Sequence, residues 1–221
     1  MPSHVHLFQP SPLSILHSPD AVIHVAGRFP SLLAYDRRKW PRLASATYSG
    51  ASLCGLAHLG PDSVVACGEY NGRGALEVYP GEDSPEPIVR NRQTAARSKI
   101  LTVAAQGTYI VTGNAGGCIR FFERDARTLM REHWVDGDKR PSVALWGAEY
   151  GEDVVRKVKP LGGGDGEFLV WAGDKMGVLG VRREMMTTRD GARGAAVDSR
   201  DKAGDDFLQC MPRLTLDRGD A

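Results

Sequence analysis

Four times along the chain an apolar run ends at a glycine, turns, and is answered by a second strand-like run. The first unit is Val22-Ile23-His24-Val25-Ala26-Gly27, then Leu32-Leu33-Ala34-Tyr35-Asp36. The second is Val64-Val65-Ala66-Cys67-Gly68, a turn through Asn71-Gly72, then Ala75-Leu76-Glu77-Val78-Tyr79. The third is Tyr109-Ile110-Val111-Thr112-Gly113, a turn through Gly116-Gly117, then Ile119-Arg120-Phe121-Phe122. The fourth is Phe168-Leu169-Val170-Trp171-Ala172-Gly173, a turn, then Val178-Leu179-Gly180-Val181. A unit this short cannot bury its own apolar surface, so repetition implies stacking of neighbours.

The anchoring glycines Gly27, Gly68, Gly113 and Gly173 stand 41, 45 and 60 residues apart. A four-stranded propeller blade repeats about every 40–45 residues. The first two intervals fit, and the third requires an insertion, with Gly162–Gly166 a place for part of it. Further short runs supply the remaining strands, among them Arg42–Thr47, Ser52–Ala57, Pro87–Arg90 and Lys99–Ala104. The runs are continuous rather than alternating, as in strands covered on both faces. No long segment has a 3.6-residue period. The sequence therefore predicts an all-β chain: a partial or degenerate β-propeller of about four four-stranded antiparallel blades over residues 1–182, with its first unit incomplete. Residues 183–221, rich in Arg, Asp, Gly and Ala, read as a disordered tail.

Val64, Ala66, Ile110, Val111, Leu169 and Val170 are the expected core, and Gly27, Gly68, Gly113 and Gly173 are expected at equivalent blade positions. His4–Phe8 looks like the third strand of a preceding blade, yet too few residues separate it from Val22 for a full repeat. This predicts that the chain is part of a longer propeller, or a degenerate copy of one, and that alone it forms no well-closed ring.

Charge and cysteine usage bound the function. Lys plus Arg number 28 against 27 Asp plus Glu, a net charge of +1. So balanced a chain has no long-range field to gather nucleic acid or an anionic membrane. The four cysteines, Cys54, Cys67, Cys118 and Cys210, form no CxxC pair; three sit in strand-like runs and read as small buried hydrophobes, and a reducing compartment is expected. The N-terminus lacks signal-peptide order, and no apolar run approaches the roughly 20 residues that cross a bilayer. A cytoplasmic or nuclear location is expected.

The strand ending Leu33-Ala34-Tyr35-Asp36-Arg37-Arg38 and the lead-in Gly113-Asn114-Ala115-Gly116-Gly117-Cys118-Ile119-Arg120-Phe121-Phe122 resemble the WD-repeat family, over about residues 4–182. The chain departs from that pattern: Pro80, Glu123 and Arg182 replace the signature Asp in the other units, and no Gly-His dipeptide precedes a blade. The family's His–Asp–Ser/Thr–Trp network cannot be assembled from these residues. Residues His4–Asp36 also look similar to propeller regions of fungal F-box proteins with WD-like repeats. The resemblance implies a protein-interaction scaffold without cofactor, binding protein or peptide partners. Its narrower form implies the substrate-holding part of an F-box ubiquitin-ligase receptor, joined to other ligase subunits through a region outside this sequence. The alternatives are a propeller-fold lyase or hydrolase, or a non-functional propeller fragment.

No catalytic, cofactor or metal constellation emerges from the residues. Gly113–Gly117 lacks the Lys-Ser/Thr and following helix of a phosphate loop and reads as a hairpin turn. Gly50-Ala51-Ser52-Leu53-Cys54 has Cys54 where a nucleophile elbow needs glycine, so Ser52 is not expected to be a nucleophile. His4, His6, His17 and His24 have no companion ligand at metal spacing. The strongest binding candidate is the basic loop Arg37, Arg38, Lys39 and Trp40, where an aromatic flanks three cations. Its plain alternative is a solvated loop. A second basic stretch, Arg90, Arg92, Arg97 and Lys99, reads as an exposed loop.

Overall fold

β-Branched and aromatic runs fill a pleated surface well, and among the described residues each of the four units, and each of the further short runs, contributes to a strand. In the computed structural model the described residues are 11–81, 84–135, 154–162 and 166–180. They form fifteen strands and one 3-10 turn. The strands are β1 (Pro12–His17), β2 (Val22–Gly27), β3 (Phe29–Asp36), β4 (Leu43–Tyr48), β5 (Ser52–His58), β6 (Val64–Tyr70), β7 (Arg73–Tyr79) and β8 (Val89–Ala96). There follow β9 (Ile100–Gln106), β10 (Tyr109–Asn114), β11 (Cys118–Glu123), β12 (Leu129–Trp134), β13 (Val155–Pro160), β14 (Glu167–Ala172) and β15 (Lys175–Gly180).

Each sheet is an antiparallel meander in sequence order: β1-β2-β3-β4, β5-β6-β7-β8, β9-β10-β11-β12 and β13-β14-β15. Each meander is one blade. All lie within the compact unit Met1–Val181, and the second unit, Arg182–Ala221, is outside the described residues, as is the tail expected at 183–221. His4–Phe8 lies outside them too.

Two expectations are corrected. The first described blade has all four strands, because Pro12–His17 supplies the inner strand that the sequence left unassigned. Prolines at 10, 12 and 19 mask this run, yet a proline is tolerated as the first residue of a strand. The long third interval falls mainly between Trp134 and Val155, not at Gly162–Gly166, which joins β13 to β14.

A shared irregularity marks the blades. The first strand of each is bulged opposite the end of the second, with Leu13, Cys54, Leu101 and Arg156 as the extra residues. A bulge bends and twists its strand. In this register the equivalent second-strand positions are Gly27, Gly68, Asn114 and Ala172. Only two of the four anchoring glycines therefore correspond. A Cβ at Gly27 or Gly68 would sit 2.3 Å from the Ser11 carbonyl oxygen or 2.1 Å from that of Ser52. Gly113, one residue earlier in its blade, faces the Val155 side chain of the next blade. Gly173, one residue later, takes a positive φ of 56° in a turn.

The core consists of seams between blades. In β6 and β7, Ala66, Ala75 and Tyr79 join Leu53 of β5 in facing Ala26 and Leu32 of the first blade. Their neighbours Val65, Cys67, Leu76 and Val78 face the third with Ile100, Ile110 and Phe122. The period-2 alternation of a strand thus feeds two seams at once. Phe121 and Phe168 meet edge to face, centroids 6.1 Å apart, across the third seam. Polar bonds also span the blades: Leu56 N donates to Ser14 Oγ (3.2 Å), Asn91 Nδ2 to the Ala126 carbonyl (3.0 Å) and Val158 N to Thr102 Oγ1 (3.2 Å).

Val64, Ala66, Ile110, Val111 and Val170 are buried as expected. Leu169 is only half-buried. It shares the outer face of the last described blade with Trp171, Met176 and Val178, which are 44–67% exposed. Ile15, 58% exposed, marks the outer face of the first. Val111→Ala should therefore destabilise the chain by about 1–3 kcal/mol, and Leu169→Ala by clearly less, since only the first leaves a cavity in a covered seam. Urea melts of the two variants check this; equal losses would place Leu169 in a covered seam as well.

Candidate functional site

A glutamate in the middle of an apolar strand must be neutralised or hydrogen-bonded where it lies. Glu77 of β7 is fully buried. Tyr79 Oη donates to its Oε2 at 2.5 Å, and Arg92 donates to Oε1 from Nη2 at 2.7 Å and Nε at 3.0 Å. Burial, reinforced by the Glu77 carboxylate, pushes the Tyr79 phenol up, so it stays protonated as a donor. Arg92 Nη2 also donates to the Ser49 carbonyl of the first-to-second blade connection.

Arg92 reaches this position because β8 departs from its partner. Between the pairs Leu76–Asn91 and Gly74–Ala96, one residue of β7 faces four of β8. Asn91 braces the excursion, its Oδ1 accepting from Thr94 N at 3.1 Å and Thr94 Oγ1 at 3.0 Å. The guanidinium carbon of Arg92 lies 4.3 Å from the Tyr70 ring centroid. Tyr70 and Arg73 are paired across the Asn71-Gly72 turn, whose residues both have positive φ (49° and 77°), as a tight two-residue hairpin of this hand requires.

These elements border an open groove of about 560 Å³ lined by Tyr70, Asn71, Arg73, Arg90, Arg92 and Gln93. It borders the first seam, where Arg90 Nη2 donates to the Tyr48 carbonyl at 3.0 Å. Among the described residues no carboxylate lines it. Glu77 lies beneath and is matched by Arg92, and Glu69 pairs with Lys99 at 3.8 Å. Among the described residues Arg73 and Arg90 enter no ion pair. The wall thus offers guanidinium and amide donors with two uncompensated positive charges, chemistry suited to a carboxylate-bearing ligand.

The basic loop expected from the sequence forms a 3-10 turn, Arg37–Lys39. Asp36 caps it, accepting from Arg38 N and Nε, both at 2.9 Å, and from Nη2 at 3.0 Å. That bonding holds the Asp36 carboxyl below its usual value. Trp40, 62% exposed, packs on Tyr35 with centroids 5.2 Å apart. Asp36 thus matches the Arg38 charge, leaving Arg37 and Lys39 outside any ion pair among the described residues. The loop joins β3 to the start of β4, whereas Tyr48 at the groove ends β4, so the two basic surfaces occupy opposite ends of the blade.

The second basic stretch is corrected from loop to strand: Arg90 and Arg92 belong to β8, and Arg97 and Lys99 to its connection with β9. Asn114–Gly117 forms the expected hairpin turn, with Asn114 Oδ1 accepting from Gly116 N and Cys118 N. Ser52 opens strand β5. His17 pairs with Ile23 and His24 with Leu16, which puts the two histidines on opposite faces; His4 and His6 lie outside the described residues. Among those residues no three His, Cys, Asp or Glu side chains gather to hold a metal, and no helix is long and apolar enough to cross a membrane.

Stacked meanders with inner strands packed on one another define a β-propeller fold. Solved structures share it. The chain aligns with the computationally designed Ika4 protein at 16% identity and TM-score 0.57, over 79% of this chain and 93% of that one. With the designed Ika8 protein the values are 16% and 0.55, over 77% and 46%. With Raptor of Chaetomium thermophilum they are 16% and 0.56, over 80% and 16%. The chain thus spans under half of Ika8 and about a sixth of Raptor. No protein-family model and no curated relative matches the sequence.

The Glu77–Arg92 pair makes a stability prediction. Arg92→Ala leaves a buried carboxylate with one donor and should cost about 3–5 kcal/mol. Glu77→Gln combined with Arg92→Ala should recover much of that loss. Chemical denaturation of both variants and wild type checks it; an Arg92→Ala protein as stable as wild type would show the pair to be dispensable.

Proposed function

We propose that the protein is a protein-interaction scaffold, a binding protein and not an enzyme, whose groove beside the first blade seam holds an acidic peptide segment of a partner. The groove's two uncompensated arginines carry this reading. They stand on a rigid sheet, so little side-chain order is lost on binding beyond their own rotamers. Tyr70 and Gln93 add an apolar face and a polar donor, the mixture that fixes a peptide in one register.

The resemblance at His4–Asp36 extends the proposal to the substrate-holding part of an F-box ubiquitin-ligase receptor, cytoplasmic or nuclear. The extension rests on sequence likeness alone, and co-purification of ligase subunits with the longest available form of the protein tests it.

The groove itself is tested with a fluorescein-labelled decapeptide of alternating Glu and Gly, read by anisotropy against its Gln counterpart. Arg73→Ala and Arg90→Ala should each weaken the Glu peptide by about three- to tenfold, and raised salt should weaken wild-type binding in the same direction. Arg37→Ala should leave affinity unchanged. Equal binding of both peptides, or variants that bind like wild type, would remove the groove from the function.

A further inference from the structure

The bulge in β5 has a chemical result. Leu53 pairs with Gly68 and Gly55 with Cys67, so Cys54 is the extra residue opposite Cys67. Two residues of a bulged strand oppose one on the partner, and here they are Cys54 and Gly55. Because residue 55 is glycine, the Cys67 sulfur can lie against it: a Cβ there would come within 2.7 Å of that sulfur. Both cysteines pack into the seam between the second and third blades, Cys67 within its buried cluster and Cys54 against it. Both are free thiols, Cys67 fully buried and Cys54 half-buried.

We propose that Cys54 and Cys67 form a peroxide-oxidisable dithiol that closes to a disulfide between β5 and β6. Gly55 is the residue paired with Cys67, and paired Cα atoms of antiparallel strands lie about 4.5–5.5 Å apart; the bulge sets Cys54 beside Gly55 against the same partner, and a disulfide accepts Cα separations of about 4.4–6.8 Å. In the first step the Cys54 thiolate attacks a peroxide oxygen and the O–O bond breaks, giving a sulfenic acid and hydroxide. In the second, the Cys67 sulfur attacks the sulfenic sulfur. The S–S bond forms, the S–O bond breaks, and the departing hydroxide leaves as water with the Cys67 proton. Overall two thiols are oxidised, and hydrogen peroxide is reduced to two waters.

The two sulfurs have different roles. The Cys67 thiol, hydrogen-bonding to Cys54, holds the Cys54 thiol below its ordinary value, and Lys99 acts in the same direction against burial. Burial holds the Cys67 thiol well up. Cys54 is thus the sulfur that meets the oxidant, and Cys67 the one that resolves it. The Cys54 thiol also donates to the Ile100 carbonyl of the third blade at 3.1 Å. Oxidation removes that donor, replacing a bond across the seam with a bond inside the blade.

Peptide mapping of the full chain tests the proposal. After one equivalent of hydrogen peroxide and blocking of residual thiols, a protease that cleaves before aspartate cuts at Asp62, between the two cysteines. The peptides 36–61 and 62–82 should then run joined, and separate on addition of dithiothreitol. Cys54→Ser should abolish the link and leave Cys67 unoxidised. Cys118→Ser should retain it, since burial pushes the Cys118 thiol up to about 12 and takes it out of the reaction. Separate 36–61 and 62–82 peptides from oxidised wild type would overturn the proposal. So would a link from Cys54 to Cys118 or Cys210 instead.

Discussion

A strand covered on both faces has no polar side to turn toward water, and the seams between blades impose that condition on β6, β7 and β10. It explains why these segments read as unbroken apolar runs, and why each residue in turn serves a different seam. It also sets the terms for any polar group placed there. Glu77 lies in such a strand only because Tyr79 and Arg92 surround its carboxylate. Elsewhere hydrogen bonds between described blades include those at Ser14, Asn91 and Thr102. These ties occur in a chain whose sequence lacks the residues for the WD-repeat polar network.

The repeat itself was legible because burial on two faces writes a strong signal, and the strand-turn-strand units all lie where the apolar runs put them. Its phase was less legible. A glycine marks the same point in the first two blades, where a neighbouring backbone carbonyl excludes a Cβ. In the third blade glycine answers a valine of the next blade, and in the fourth it answers a turn. One residue type with three physical causes gives an approximate spacing, not a register. The inner strand Pro12–His17 escaped notice because its prolines look like loop, and Leu169 misled because its composition matches a covered strand while its face is open.

The groove could not be read from any one segment. Its arginines come from a hairpin turn and from a strand that sets four residues against one of its partner between two pairings, and that excursion leaves no periodic trace. What the sequence did offer was an acidic residue inside an apolar run, with basic residues at 90 and 92 further on. The Cys54–Cys67 pair was hidden for a similar reason. Twelve intervening residues conceal a neighbour relation that only the bulge creates. The second blade consequently has chemistry on both flanks, cationic toward the first blade and thiol-bearing toward the third.

The exposed apolar residues Ile15 and Trp171 lie on the outer faces of the first and last described blades. These faces are unlike: one is the leading side of a blade and the other the trailing side. Contact between two copies through the same face would have to be self-complementary, whereas stacking of the kind used inside the molecule joins leading to trailing. Such an association is heterologous. It has direction, and it ends only when the accumulated rotation returns to its starting point. If that rotation does not close, the same contact repeats without limit and winds into a helical filament. The angle between successive blades is then what would separate a finite assembly from an endless one.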